Sequence, residues 1–309
     1  MKLAYGEVND GMAVESKSVS GRIFDCFNIL FLILLLVVTL YPFVYVLFAS
    51  FSLPARFLKH DFVILLKPLG FQLETYRLVF RNAMIVRGFF NSVFYVVAGC
   101  AISMFLTFLG AYALSRTGYY FKRFFTFAIL FTMYFGGGLI PVFLWVQQLG
   151  LLDTIWAILL PNAISTYNMI VLRTAFASVP KSLEESVKID GGNDFVILFR
   201  IMIPLCIPTI AVVGLFYAVG RWNEWFNAVI YLRTRLLYPM QLILREILIT
   251  GTADYIAQNA SMGVGDELTA ARELIKYAAI IITTVPILIV YPFIQKYFVK
   301  GMMLGAIKE

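Results

Sequence analysis

The chain has 309 residues, of which 61% are hydrophobic and only 14% charged, with a formal net charge of +7. A soluble domain carries about 25% charged residues, so this composition excludes an ordinary soluble protein and points to a chain that is dissolved in lipid. The bases form no block and do not interleave with aromatics, which excludes a nucleic-acid partner and suits basic loops lying beside anionic membrane lipid.

In a bilayer, backbone polar groups must be satisfied within the segment, so the expected fold is all-α. A spanning helix needs about 20 apolar residues, and six segments qualify. Residues 1–26 start polar and read as a cytoplasmic N-terminal segment; the apolar block that follows is too long for a cleaved signal. The expected spans are 27–51, 90–114, 124–149, 155–176, 205–232 and 277–298. The third is interrupted by Gly136-Gly137-Gly138 and Pro141. Residues 27–309 therefore read as one six-helix domain.

Orientation follows the bases in short loops. Between the second and third spans stand Arg116, Lys122 and Arg123 without an acid, whereas the loop after the third span has Asp153 and no base. The first loop is thus cytoplasmic, as are both termini and the polar stretch at 177–203. The long first outer loop, 52–88, runs against this rule with Arg56, Lys59, Lys67, Arg77, Arg81 and Arg87, but long loops weigh less in it. That loop and 233–276 are each roughly 40 residues, too long to be structureless in a compact protein, and are expected to fold or bind something. Cys26, Cys100 and Cys206 lie in or beside apolar segments without metal-ligand spacing and read as small buried hydrophobes. His60, the single histidine, sits in the first outer loop and reads as incidental.

The stretch SLEESVKIDGGNDFVILFRIMIPLCIP, residues 182–208, is charged and glycine-punctuated between two hydrophobic blocks. Pro180 ends the preceding element. Ser182 followed by Glu185 fits a reciprocal capping box. Leu183 and Val187 share a helix face, Gly191 and Gly192 stop that helix, and Asn193 or Asp194 can cap a second one. Phe195, Leu198, Phe199 and Met202 then give an amphipathic face, before Pro204 and Pro208 mark entry into the fifth span. Read locally, this is a well-capped connecting loop or a docking element.

The stretch resembles the signature loop of binding-protein-dependent ABC importer permeases: Glu-Ala-Ala, three residues, Gly, nine residues, Ile, any residue, Leu-Pro. Glu185-Ser186-Val187 stands at the Glu-Ala-Ala place, Gly191 follows after three residues and Ile201 after nine more, and Met202-Ile203-Pro204 completes the pattern. Ser186, Val187 and Ile203 depart from it, and the bulk of Val187 bears on how closely the helix docks. Ala111 to Arg116, Trp222-Asn223 with Tyr231-Leu232, and the tail from Gln295 to Gly301 are similar to the maltose-transporter-type second permease subunit. Phe135 to Pro141 and the run VKGMMLGAIK resemble a subfamily assigned to complex oligosaccharides such as aldouronates, pectin fragments or alginate oligomers.

The resemblance implies a type I ABC importer permease in a bacterial inner membrane. It implies as partners a homologous permease subunit, two cytoplasmic ATPase subunits, an extracytoplasmic solute-binding protein and an oligosaccharide. ATPase coupling would fall to Glu185, Ser186, Val187, Asp190, Gly191, Ile201 and Pro204. ATP and Mg would belong to the partner ATPase and no cofactor to this chain, which contains no G-x-x-x-x-G-K-S/T phosphate loop and no hydrolase motif.

Polar residues inside spans are costly and tend to face a pathway. Trp222, Asn223, Arg221 and Asn227 in the fifth span are candidate substrate contacts, with Glu224 and Trp225 beside them. The alternatives are an interfacial aromatic belt with Arg221 and Glu224 paired on a helix surface, or Arg221 as a structural pin. Asn162, Ser165, Tyr167 and Asn168 form a second polar cluster in the fourth span. The tail 296–308 reads as a basic end at a membrane surface or an ATPase contact. A competing class, an ion-coupled carrier working without an ATPase, would favour intramembrane carboxylates, of which Glu224 is the one well inside an expected span. A membrane enzyme is disfavoured by the missing catalytic motifs.

Overall fold

A long apolar run free of strong breakers propagates as helix, and the sequence provides several. In the computed structural model, which describes residues 19–57, 59–60, 64–116, 120–249 and 266–306, the first is α1, Val19–Ser50. Two short helices follow, α2 (Pro54–Phe57) and α3 (Glu74–Arg81), then the long α4 (Ala83–Ser115), whose first turn is capped by the Asn82 side chain accepting from the Met84 N–H at 2.9 Å. No strand occurs among the described residues. Helix α1 begins at Val19, inside the expected N-terminal segment; residues 1–18 lie outside the described ones.

The expected first and second spans are thus single helices, and so is the sixth, within the long helix Asp266–Ala306. The others are not. The third divides at its glycines into α5 (Lys122–Tyr134) and α6 (Leu139–Gln148), which meet at 111°. The fourth divides into α7 (Trp156–Leu159) and α8 (Thr166–Ala177). Pro161, between them, has no N–H to give and restrains the residue before it, and Ser165 re-caps the chain by accepting from the Asn168 N–H at 3.3 Å. The 12-residue α8 reaches about 18 Å, short of the roughly 30 Å hydrocarbon core. The expectation of one continuous helix over 155–176 is corrected accordingly.

After α9 (Lys181–Ile189), the expected fifth span is entered by α10 (Asp194–Leu205), which meets α11 (Ile207–Trp222) at 89° at Cys206, between Pro204 and Pro208. The chain continues through α12 (Phe226–Tyr231), a 3-10 turn at Arg235–Leu237, α13 (Met240–Ile249) and α14 (Asp266–Ala306). Among the described residues three helices are long and apolar enough to cross a membrane, up to five if each bent pair is one span. In the two long loops expected outside, the described residues form α2 and α3 in the first and the 3-10 turn and α13 in the second.

Helix α4 is the axis of the bundle, with a core at each end. At its start, Ile85 joins Leu78 and Val79 of α3, Met240, Ile243 and Ile247 of α13, and Ile275 and Ala279 of α14. At its end, Ala111, Tyr112 and Leu114 pack with Met169, Leu172 and Phe176 of α8 and with Ile197, Leu198 and Met202 of α10. Helix α1 buries only Ala49 and Ser50 and exposes apolar side chains all round, the surface of a lipid-facing helix. Cys26 lies on that surface and is exposed, Cys100 is half-buried, and only Cys206 is the buried thiol expected of all three.

Candidate functional site

The polar stretch folds as a helix, a turn and a second helix, with ends that differ from the expected ones. Pro180, not Ser182, is the residue before the first turn, and no side chain caps α9. Proline is favoured where a helix begins because its missing N–H needs no partner there, so the helix starts two residues early and Ser182 lies inside it. The Ser182–Glu185 capping box therefore does not form. The C-terminal end is as read: Gly191 takes φ +80°, its N–H donates to the Lys188 carbonyl at 3.1 Å, and the Gly192 N–H donates to the Val187 carbonyl at 2.8 Å. This is the double bond of a Schellman stop. Asn193, rather than Asp194, caps the next helix, accepting from the Val196 N–H at 3.0 Å.

Residues Ile197–Met202 of α10 are π-helical. The wider turn rotates the apolar face away from the 3.6-residue expectation. Ile197, Leu198 and Met202 are buried, whereas Phe195 is 62% exposed and Phe199 is also exposed. With Leu183 and Ile189, the latter 86% exposed, they give the loop an outward apolar surface. Glu185, Ser186, Asp190, Gly191 and Pro204 are exposed, while Val187 and Ile201 are half-buried.

Arg116, Tyr112, Glu184 and Asp194, none of them among the coupling residues that the loop pattern implies, fasten this loop to the bundle. Arg116, at the end of α4, pairs with Glu184 on α9 and also donates to the Phe176 carbonyl at 3.3 Å, with its guanidinium 5.0 Å from the Tyr112 ring centroid. The Tyr112 hydroxyl donates to Asp194 at 2.9 Å. Lys188 donates to the other oxygen of Glu184 at 2.9 Å. Burial raises the Glu184 carboxyl pKa, but the Lys188 hydrogen bond and the charges of Arg116 and Lys188 outweigh it and hold the group below the ordinary carboxyl value. Arg116 and Glu184 are 68 positions apart, so no local periodicity pairs them.

A second arrangement lies at the break between α7 and α8. A cleft of about 400 Å³ is lined by Asn162, Ser165, Tyr167, Asn168, Phe216, Tyr217, Gly220, Arg221 and Glu224. The polar cluster of the fourth span thus meets Arg221, and Asn168 is on the wall. Trp222, Asn223 and Asn227 are not among the lining residues. Trp222 is buried and its indole N–H donates to the Thr283 carbonyl at 3.0 Å; Asn223 ends α11; the Asn227 N–H donates to Glu224 at 3.2 Å. Arg221 is 4% exposed and donates to the carbonyls of Ile158 at 2.5 Å, Leu159 at 3.0 Å and Asn162 at 2.9 Å. The guanidinium fork serves carbonyls freed where α7 ends.

Tyr217 closes the cleft's inner wall. Its hydroxyl accepts from the Ser165 N–H at 3.0 Å and shares a hydrogen bond of 2.7 Å with Thr107 of α4. Tyr217→Phe is expected to cost about 1–2 kcal/mol, read as a lower unfolding temperature of the purified protein in detergent with the oligomeric state unchanged.

The described helices thus surround a polar cleft at a broken segment and carry a polar loop fastened to one end of the bundle. Residues 108–304 match the family described as the binding-protein-dependent transport system inner membrane component, and the chain belongs to that family. It is 41% identical over 290 residues to the polygalacturonan/rhamnogalacturonan transport system permease protein YtcP of Bacillus subtilis (strain 168), covering 94% of this chain and 100% of that one. It is 29% identical over 301 residues to the diacetylchitobiose uptake system permease protein NgcG of Streptomyces coelicolor, covering 94% and 91%. A crystal structure of a bacterial ABC transporter involved in the import of the acidic polysaccharide alginate matches with a TM-score of 0.82 and 34% identity, over 91% of this chain and 98% of that chain. The chain is accordingly a multi-pass permease component of the inner membrane.

Proposed function

We propose that this chain is one of two permease subunits of an ATP-driven oligosaccharide importer, and that the stretch 177–203 is its coupling element toward a cytoplasmic ATPase. In this reading the domain at 27–309 crosses the membrane six times, the broken α7–α8 segment serving as the fourth crossing, with both termini in the cytoplasm. The cleft at Asn162, Ser165, Asn168 and Tyr217 forms part of the translocation path, and Arg221 shapes it from behind. An extracytoplasmic binding protein delivers the sugar, and ATP and Mg are held by the ATPase pair. Glu185, Ser186, Asp190, Gly191 and Pro204 lie on the docking side, with Val187 and Ile201 beneath them. Side chains of the tail beyond residue 292 fall outside the described ones, and the proposal assigns them nothing.

The observation that carries this reading is the build of the loop. A short helix stopped by a Schellman turn and pinned to α4 is stiff enough to transmit a push, and it exposes Leu183, Ile189, Phe195 and Phe199 beside its charges. Exposed apolar side chains on a polar segment mark a protein contact. The relatives carry polygalacturonan/rhamnogalacturonan, diacetylchitobiose and alginate, which supports an oligosaccharide cargo. The test is co-purification of the tagged chain from its native membrane in mild detergent, followed by reconstitution. A second permease and an ATPase are expected to stay bound, with uptake driven by ATP. A chain that purifies alone and transports on an ion gradient would establish the carrier reading instead.

A further inference from the structure

We propose that Arg116 and Glu184 form the link through which displacement of the coupling loop is passed to the wall of the cleft, by way of α4 rather than along the chain into α11. The inference rests on the coupling reading of the loop and adds the route and its positioning residues.

The covalent route is compliant. Between α9 and α11 the chain passes the Gly191-Gly192 turn and, beyond the packed residues of α10, an 89° bend at Cys206. Each is a place where the backbone departs from the α-helical ladder, and a push delivered there is absorbed as bending. The non-covalent route is short and tight. Arg116 binds Glu184 on α9 and the Phe176 carbonyl at the end of α8, and lies over Tyr112, whose hydroxyl holds Asp194 at the start of α10. One guanidinium therefore joins the loop, α8 and α4. Beneath it the buried cluster of α4, α8 and α10 packs the three elements into one body.

From this body α4 continues toward the cleft as an unbroken helix. Thr107 shares its hydrogen bond with Tyr217 on the cleft wall, and Tyr217 holds the Ser165 N–H at the mouth of α8. Further along, the Gly99 Cα lets the Arg221 side chain pass so closely that an added Cβ would lie 3.0 Å from Arg221 Nε. Rotation or sliding of α4 therefore displaces both Tyr217 and Arg221, and with them the unwound residues 160–165. Glu184 is a positioning residue here: it sits next to the docking residues and faces the bundle, its side chain only 13% exposed.

The experiment uses the complete transporter in proteoliposomes, with Glu184→Gln, Tyr112→Phe and the exchanged pair R116E/E184R. Three quantities are read: ATPase retained on the permease, ATP hydrolysed, and sugar carried per ATP. Glu184→Gln is expected to keep the ATPase bound and hydrolysing while sugar carried per ATP falls about tenfold. Tyr112→Phe, which removes one hydroxyl, is expected to lower it about threefold, and the exchanged pair to recover most of the loss. Glu184→Gln with an unchanged ratio, or an exchanged pair no better than the single variant in a complex of unaltered unfolding temperature, would overturn the link. So would release of the ATPase by Glu184→Gln, since the residue would then be a docking contact. Absence of an ATPase from the unsubstituted complex would instead sink the coupling reading itself.

Discussion

Arg221→Met is expected to lower the stability of the purified permease by about 2–4 kcal/mol and sugar uptake about tenfold. The three carbonyls that Arg221 serves, those of Ile158, Leu159 and Asn162, lie where α7 has ended and α8 has not begun. Methionine fills much of the same volume but donates nothing, so these buried acceptors lose their partner. In a membrane the loss per bond is smaller than the bare desolvation cost, because freed groups find other partners, and this sets the lower end of the range. Transport suffers with folding because Asn162 and Arg221 itself line the cleft with Asn168 and Tyr217. Arg221→Lys separates the two effects: an ammonium keeps the charge and reaches fewer carbonyls, without the planar fork. Its unfolding temperature is expected between those of wild type and Arg221→Met. Uptake near the wild-type level in Arg221→Met would show that the break holds its shape without the pin.

The spans at 27–51, 90–114 and 277–298 were legible because apolar length alone determines them: α4 and α14 contain their ranges, and α1 covers all of its range but Phe51. The break at 160–165 was less legible. Pro161 is a visible signal, but proline inside spanning helices is tolerated, and the residue that stabilises the break, Arg221, is contributed from 59 positions away. The same separation explains why Trp222 and Arg221, adjacent in sequence, have different fates. One residue step, about 100° of helix rotation, directs Trp222 to α14 and Arg221 to α7, and hydrophobicity carries no information about which. Within the stretch 177–203, glycines and the Asn193 cap were readable as local chemistry. The π-helical turn was not, because a 3.6-residue template assigns Phe195 and Phe199 to the buried face that Ile197 and Leu198 occupy. Arg116 stood in a quoted family-like run, but nothing in the sequence tied it to Glu184.

The two adjacent glycines of the turn are expected to respond in opposite ways. Gly191→Trp is expected to leave the folded permease nearly intact and to reduce bound ATPase about tenfold. The position points into open space with no atom within 4 Å of an added Cβ, so the only internal cost is a side chain at φ +80°, about 1 kcal/mol. The indole then occupies the surface that a docking partner must reach. Gly192→Ala is expected to damage the loop itself. Its Cβ would lie 2.4 Å from Val187 Cγ1 and 3.0 Å from the Val187 carbonyl oxygen, and overpacking of this kind costs about 1–3 kcal/mol. Val187 is the bulkier residue at the second alanine of the family pattern, and the structure turns it inward against Gly192, away from the exposed side of α9. Bulk at 187 and the missing side chain at 192 therefore belong together. Val187→Ala combined with Gly192→Ala removes the methyl contact and leaves the carbonyl contact, so the double variant is expected to regain most of the ATPase lost by Gly192→Ala. A double variant as impaired as the single one would place the steric conflict at the carbonyl, and the Schellman bond from the Gly192 N–H, not the valine, would then be what the glycine protects.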